Sequence, residues 1–143
     1  EDFFRYASKQ HLFVFKQLNL GNQGEAPIIA SSWFISSEIG NQIVVLTRNL
    51  LYSYWQDYDY LLNYFTFHLF FTMACRRYEN EWESIPAFNN SSPHMLMFEL
   101  KRDYSSERWE QTMKMSGIHK LQRYDDYSDL KKSNYCKILD TYL

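Results

Sequence analysis

The sequence contains little glycine, proline or cysteine. Its 143 residues include 4 Gly, 3 Pro and 2 Cys, whereas Gly and Pro alone usually make up about 12% of a chain. Few positions carry the glycine or proline that is typical of turns, which predicts long helices or strands. Cys75 and Cys136 have no CxxC spacing and the four histidines are scattered, so the sequence has no local zinc-binding pattern. We predict two buried or idle thiols in a reducing compartment.

Clustered positive charge is also missing. The formal net charge is −2 and the pI is about 6.1, and no stretch has the basic footprint that binding to a phosphate backbone requires, which disfavours nucleic acid as a partner. A glycine-rich phosphate loop, a GxSxG motif and an HExxH motif are absent as well. Asp57-Tyr58-Asp59 has D-x-D spacing, but it precedes a predicted helix, so we interpret it as a capping segment.

The sequence is rich in aromatic residues, which make up 19% of the chain, and 45% of its residues are hydrophobic. This content excludes a disordered chain, and the length fits one domain that buries about two-thirds of its unfolded surface. The chain begins Glu1-Asp2-Phe3-Phe4, without an initiator Met or a signal sequence. We interpret this start as a cut from a longer protein.

The first half of the chain predicts two strands and two helices. Residues 12–15 and 28–35 have strand composition. Apolar positions at helical spacing predict a helix over 41–56 and a second over 60–78, with Asp57 or Asp59 as its N-cap. Because the second helix is apolar nearly all round but contains polar residues such as Asn63 and His68, it is interpreted as a buried helix rather than a transmembrane one. The two helices predict an antiparallel hairpin.

The second half predicts shorter elements. Residues 89–93 are interpreted as a loop, 94–98 as a strand or a helix end, and 105–115 as a short helix. Residues 118–121 are expected to be extended and 127–143 to form a terminal helix. The predicted fold is therefore a helix-rich α/β fold with a few short strands and a central helical hairpin.

One face of the second predicted helix is a candidate binding surface. Tyr60, Tyr64 and His68 have i, i+4, i+8 spacing, and Asp59 and Asn63 form a neighbouring i, i+4 pair. Such a face suits hydrogen bonds to a polyhydroxylated ligand. The alternative is that these tyrosines and the histidine pack in the core and satisfy their polar tips locally.

Three further candidates lie in predicted turns and strand ends. Ser31 and Ser32 interrupt an apolar strand, either at its exit into a site or as solvent-facing residues. His94 is a lone loop histidine, suited to acid–base chemistry or a phosphate contact. Ser116-Gly117-Ile118-His119-Lys120 places an imidazole and an ammonium after a turn, which suits a diphosphate. Its alternative is an exposed turn with a solvated lysine.

Several short motifs follow one another in a distinctive order. They are Ser32-Trp33-Phe34-Ile35, Gly40-Asn41, Leu51-Tyr52-Ser53-Tyr54-Trp55, Leu62-Asn63-Tyr64-Phe65 with His68, Pro93-His94 and Ile118-His119-Lys120-Leu121. Over residues 1–124 this order resembles the bacterial capsular polysaccharide synthesis proteins. The resemblance places the chain among DXD-containing, sugar-nucleotide-dependent glycosyltransferases of GT-A fold, related to the mannosyltransferases that initiate yeast outer chains.

The resemblance implies a function in glycan synthesis. A sugar passes from a nucleotide-sugar donor to a growing capsular or surface polysaccharide, and the acceptor is a glycan or a lipid-linked oligosaccharide. In this family a DXD strand that holds the donor diphosphate with Mn²⁺ or Mg²⁺ lies upstream of a segment similar to Glu1-Asp2-Phe3-Phe4. Residues 1–143 are thus expected to be one domain, the C-terminal acceptor-side part of a longer enzyme. Alone it should be inactive and bind metal weakly.

The resemblance also implies residue roles. His119 and Lys120 would approach the donor diphosphate, with His119 as a metal ligand. Because the family usually has Asp before the tyrosine, Asn63 is expected to orient substrate or stabilise a cation rather than act as a general base. The implied catalytic residues are Asn63, Tyr64 and His68, the donor-site residues also include Ser31 and Ser32, and His94 is implied as an acceptor or loop contact.

The last two expectations concern the cellular location and an alternative function of the chain. The implied location is the cytoplasm, with a peripheral position at the inner face of the cell membrane left open and no transmembrane segment expected. The alternative function is a non-catalytic helical module that binds glycan or another protein, because exposed aromatic side chains suit both kinds of contact.

Overall fold

The computed structural model describes residues 3–18, 28–121 and 132–142. Its backbone forms two compact units, Glu1–Asn90 and Ser91–Leu143. The described elements are mostly helices, with one antiparallel pair of strands, which confirms a helix-rich fold with short strands. The first unit contains α1 (Phe3–Ala7), β1 (Leu12–Val14), β2 (Ile35–Ser37), α2 (Gln42–Asp57), α3 (Thr66–Arg77) and α4 (Glu79–Ser84), and the second contains α5 (Ser91–Glu99), α6 (Ser106–Lys114) and α7 (Asn134–Tyr142).

The small sheet pairs β1 with β2, with Leu12 opposite Ser37 and Val14 opposite Ile35. β1 confirms the strand predicted at residues 12–15. The strand predicted over 28–35 is wrong, since β2 begins only at Ile35. Before it the chain bends, and the Ser31 amide donates a single hydrogen bond of 3.0 Å to the Phe15 carbonyl. Serine hydroxyls compete with ladder hydrogen bonds, which favours such a bend.

Helix α2 begins where the sequence predicts it. Asn41 is the N-cap, and its Oδ1 accepts a hydrogen bond of 3.1 Å from the Val44 amide. The Asn41 side-chain amide donates to the His11 carbonyl at 3.3 Å. Gly40 has a φ of +84°, a left-handed conformation that costs glycine little. Asn41 therefore both starts α2 and ties it to the segment before β1.

Helix α3 begins six residues later than predicted. Residues 60–65 are not helical, and neither Asp57 nor Asp59 is the N-cap, because Asp57 is the last residue of α2 and α3 starts at Thr66 after Phe65. Asn63 organises this start, as described below. Helices α2 and α3 pack against each other, as the predicted hairpin requires.

Only one face of α3 is buried. Phe71, Ala74 and Cys75 are buried, while Leu69 is 42% and Met73 46% exposed, so the prediction of a buried helix holds for one face and is wrong for the other. Burial raises the pKa of the Cys75 thiol to about 12, and the two cysteines form no disulfide. No helix in the described ranges combines the length and the apolar character needed to cross a bilayer.

The core of the first unit lies on both sides of β1, whose successive side chains point to opposite faces. On one side, Leu12 and Val14 join a cluster that includes Ile43, Phe71 and Trp82. On the other side Phe13 is 1% exposed and is surrounded by aromatic rings. These belong to Phe3, Tyr6, Phe15, Phe34 and Phe88.

In the second unit the structure corrects the prediction for residues 89–98. Ser91–Glu99 is one helix, not a loop followed by a strand or helix end, because Pro93 lies in its first turn, where no intrahelical N–H bond is lost. Residues 118–121 lie in neither a helix nor a strand. Helix α7 begins at Asn134, and the predicted start over 127–131 lies outside the described residues. Helix α6 confirms its prediction. Leu96 and Leu100 pack with Trp109, Met113, Tyr135 and Ile138.

Candidate functional site

A pocket of about 560 Å³ lies between the end of α2, the connection that follows it and the first turns of α3. We call it the hairpin pocket. Its lining consists of five aromatic residues (Tyr54, Tyr58, Tyr60, Phe65, Phe70), three aliphatic residues (Ile28, Leu62, Leu69) and three polar ones (Asn63, Thr66, His68). The structure therefore brings two of the predicted catalytic residues, Asn63 and His68, into one pocket.

The shape of the hairpin pocket depends on Tyr54. Its hydroxyl donates a hydrogen bond of 2.7 Å to the Tyr60 carbonyl and accepts one of 3.0 Å from the Leu62 amide. Its ring stacks on Tyr58, with centroids 5.1 Å apart, and lies 5.8 Å from the Phe70 ring of α3. These bonds hold the connection out of helical geometry. This role of Tyr54 is not predicted from the sequence, where the run of aromatic residues at the end of α2 is the one local signal for it.

Asn63 organises the start of α3. Its Oδ1 accepts a hydrogen bond of 2.7 Å from the Phe65 amide, in the manner of an Asx-turn. The Asn63 carbonyl accepts a hydrogen bond of 2.6 Å from the Thr66 hydroxyl. The oxygen of that hydroxyl in turn accepts one of 3.3 Å from the Asn63 backbone amide. The side-chain oxygen of Asn63 is thus already used by the fold.

His68 lines the hairpin pocket and has an unsatisfied ring nitrogen. Its Nδ1 is buried and has no hydrogen-bond partner among the described residues. The ring contacts Phe65 at 5.6 Å and Phe67 at 5.7 Å between centroids, both edge-on. Burial lowers the pKa of His68, since an apolar environment disfavours the charged form. The lowered pKa favours the neutral ring, and a buried polar atom without a partner calls for an explanation such as a catalytic role or a bound water.

Tyr64 does not share this site as predicted. The prediction that Tyr60, Tyr64 and His68 lie on one helical face is wrong, because both tyrosines precede α3. The predicted helical pair of Asp59 and Asn63 fails for the same reason. Tyr64 is 80% exposed and does not line the hairpin pocket, whereas Tyr60 reaches it through the bond from Tyr54.

Ser31 and Ser32 lie elsewhere in the first unit and do not line the hairpin pocket. Ser31 is buried, and its hydroxyl accepts a hydrogen bond of 3.4 Å from the Asn90 side-chain amide. Ser32 is exposed. The Ser31 hydroxyl thus fastens the segment before β2 to a residue 59 positions later.

The second unit brings the other predicted residues near one another. The Lys120 amide donates a hydrogen bond of 2.8 Å to the Pro93 carbonyl, which places His119 and Lys120 beside the first turn of α5, where His94 is buried. Both ring nitrogens of His119 are buried and lack a hydrogen-bond partner in the part of the chain that the structure describes. Burial lowers the pKa of His119; the Met113 and Ser116 carbonyls partly oppose this, but neither bonds a ring nitrogen in good geometry.

The neutral histidines predict acid sensitivity. Because burial lowers the pKa of His119 below its ordinary value of 6.5, the unfolded chain binds more protons than the folded chain between that lowered pKa and about 6.5. We expect the free energy of unfolding to fall as the pH decreases from 7.5 to 5.5, and His119→Gln to make this decrease smaller. Urea unfolding at several pH values measures it. Identical pH dependence in the variant would contradict the prediction.

The residues described do not fit a metal centre by themselves. No three His, Cys, Asp or Glu side chains within residues 3–18, 28–121 and 132–142 are grouped so that they could hold a metal ion. The ammonium group of Lys120, adjacent in sequence to His119, also repels a cation. We therefore derive no chemical step through a metal ion from these residues.

Comparison with known proteins identifies the family. Residues 1–139 match the family model described as capsular polysaccharide synthesis protein, in agreement with the resemblance of the short motifs. No curated protein and no solved structure matches the chain. Since the match covers nearly the whole sequence, the chain belongs to the capsular polysaccharide synthesis protein family.

Proposed function

We propose that this chain takes part in transferring a sugar from a nucleotide-sugar donor to a growing capsular or surface polysaccharide. Its family membership supports a role in capsule synthesis. The observation that carries the catalytic part of the proposal is that His68, a histidine with one unpaired ring nitrogen, lines the hairpin pocket. In this proposal the chain is the C-terminal, acceptor-side region of a hexosyltransferase-like enzyme of GT-A fold.

His68 is the residue suited to act on the acceptor. In glycosyl transfer the acceptor oxygen forms a bond to the anomeric carbon, the hydroxyl loses its proton, and the nucleotide diphosphate leaves with the electron pair of the broken bond. A neutral imidazole accepts a hydrogen bond from that hydroxyl and then its proton. The lowered pKa of His68 keeps the ring in the neutral form that this step needs.

The rim of the hairpin pocket suits a sugar ring. Tyr58 and Tyr60 are 47% and 55% exposed, so their rings offer apolar faces while their hydroxyls reach water. Pockets that combine aromatic walls with a few placed polar groups are typical small-molecule sites. The tyrosines would hold the acceptor sugar at the mouth, with Asn63 fixing the backbone that carries Tyr64 beside it.

The donor side of the proposal rests on the other predicted residues. Lys120 and His119 would neutralise charge on the donor diphosphate as it departs, with Ser31 and Ser32 at the sugar and His94 as an acceptor or loop contact. Mn²⁺ or Mg²⁺ would be held by DXD aspartates of the complete enzyme. The proposed location is the cytoplasm, at the inner face of the membrane when the acceptor is lipid-linked.

Exposed aromatic side chains favour one rival, a glycan-binding or protein-interaction module without chemistry. Tyr52 is 64% and Trp55 47% exposed on the outer part of α2. The test incubates the complete protein with radiolabelled nucleotide sugars, Mn²⁺ and capsular oligosaccharide. We expect a product one sugar longer than the acceptor. Glycan binding without transfer or donor hydrolysis for any donor would favour the module.

A further inference from the structure

The hairpin pocket has few hydrogen-bonding groups left for a ligand. The Tyr54 hydroxyl is engaged both as donor and as acceptor. The Asn63 side-chain oxygen and the Thr66 hydroxyl are used in the turn that starts α3. The Nδ1 of His68 is the buried polar atom of the lining that has no partner among the described residues.

The remaining lining is apolar. Ile28, Leu62 and Leu69 contribute aliphatic groups, and Phe65 and Phe70 contribute rings. A sugar ring has hydroxyl groups on most of its carbons, and a hydroxyl moved from water into such surroundings without a new partner costs roughly 1–3 kcal/mol. The few polar groups of this lining cannot compensate several hydroxyls. The pocket interior therefore suits an apolar group and not a second sugar.

The volume of about 560 Å³ lies in the range of pockets that enclose a whole small ligand. Resting on the proposed function, we propose that the interior of the hairpin pocket binds the aliphatic chain of a lipid-linked glycan acceptor. The rim tyrosines, whose hydroxyls reach water, contact the sugar outside.

The chain offers two matched pairs of positions for testing this ligand. Leu62 lines the pocket and is 69% exposed, while its neighbour Leu61 is 56% exposed and does not line it. Leu69 lines the pocket from α3, and Met73, one helical turn later, has nearly the same exposure without lining it. Substitution of each by glutamine at these exposed positions leaves the buried core untouched.

The probes are alkyl glycosides that share one sugar and carry chains of one to eight carbons, used below their critical micelle concentrations. Their Kd values for the complete protein are measured by titration calorimetry. We expect affinity to rise roughly fourfold for each methylene buried, until the pocket is filled. Leu62→Gln and Leu69→Gln should flatten this dependence, whereas Leu61→Gln and Met73→Gln should preserve it.

The outcomes separate this inference from the proposed function. A Kd that does not change with chain length, or that changes equally in all four variants, overturns the lipid-chain inference. If sugar transfer still occurs in that case, the proposed function stands without it. If the chain-length dependence holds but no donor supports transfer, the pocket binds a lipid chain and the proposed function fails.

Discussion

Replacing His68 by glutamine in the complete enzyme is expected to lower kcat for sugar transfer by roughly 10²- to 10⁴-fold, the usual contribution of a positioned general base. Glutamine retains hydrogen-bonding ability but cannot take a proton at neutral pH. The ring that it replaces packs edge-on against Phe65 and Phe67, which limits its movement where it lines the pocket. Transfer of radiolabelled sugar, measured at saturating donor, gives the change.

The pH profile distinguishes proton transfer from mere packing. The pKa of His68 is lowered by burial, so kcat/KM should stay level near pH 7 and fall only when the pH drops through a pKa below 6.5. The residual activity of His68→Gln should lack this acidic limb. Such a loss of the limb is not expected from a variant that only loosens the hairpin.

His11→Gln is the matched control for His68. The His11 ring is exposed and pairs with Glu38 at 2.7 Å, and it does not line the hairpin pocket. Its transfer rate should equal that of the unmodified enzyme. If His68→Gln retains activity within about threefold of this control, a catalytic role for His68 is wrong, because that difference is smaller than the contribution of a positioned base.

Short local patterns in the sequence predict the structure correctly where a single residue type determines the backbone conformation. Gly40-Asn41 predicts the start of α2, because the glycine accepts a positive φ and the asparagine caps the first turn. Ser105 is the N-cap residue of α6, although its side chain makes no capping hydrogen bond. The helix predicted over residues 60–65 does not form, because the Tyr54 hydroxyl bonds to backbone groups six and eight positions later. This contact overrides the apolar helical pattern of the sequence.

The candidate site shows a similar limit. The sequence placed Asn63 and His68 together, and they do line one pocket, although the helical face that motivated this prediction does not exist. Nothing in the local pattern shows that Asn90 binds the Ser31 hydroxyl or that Tyr64 is exposed. Which polar atoms are already satisfied depends on contacts far apart in sequence, and this decides which groups remain for a ligand.

Phe13→Ala is expected to lower the free energy of unfolding by about 3–5 kcal/mol, the range for removing a buried aromatic ring. Phe13 is 1% exposed, and its ring has aromatic neighbours on several sides, with Phe3, Phe15 and Phe88 each 5.4 Å away between centroids. Because these rings come from α1, from the chain after β1 and from the chain after α4, the cavity has no single flexible side that can collapse into it. Urea denaturation followed by circular dichroism measures the loss.

Phe4→Ala is the control for this change, because Phe4 belongs to the same aromatic group but is 56% exposed. Its effect should stay below about 1 kcal/mol, as for most surface substitutions. Phe13→Leu should fall between the two, since a smaller apolar side chain refills part of the space. If Phe13→Ala and Phe4→Ala destabilise equally, the β1 core is not the main source of stability in the first unit.

Since Phe13 does not line the hairpin pocket, the molecules of Phe13→Ala that remain folded should bind alkyl glycosides with unchanged Kd. This measurement separates loss of stability from loss of the site.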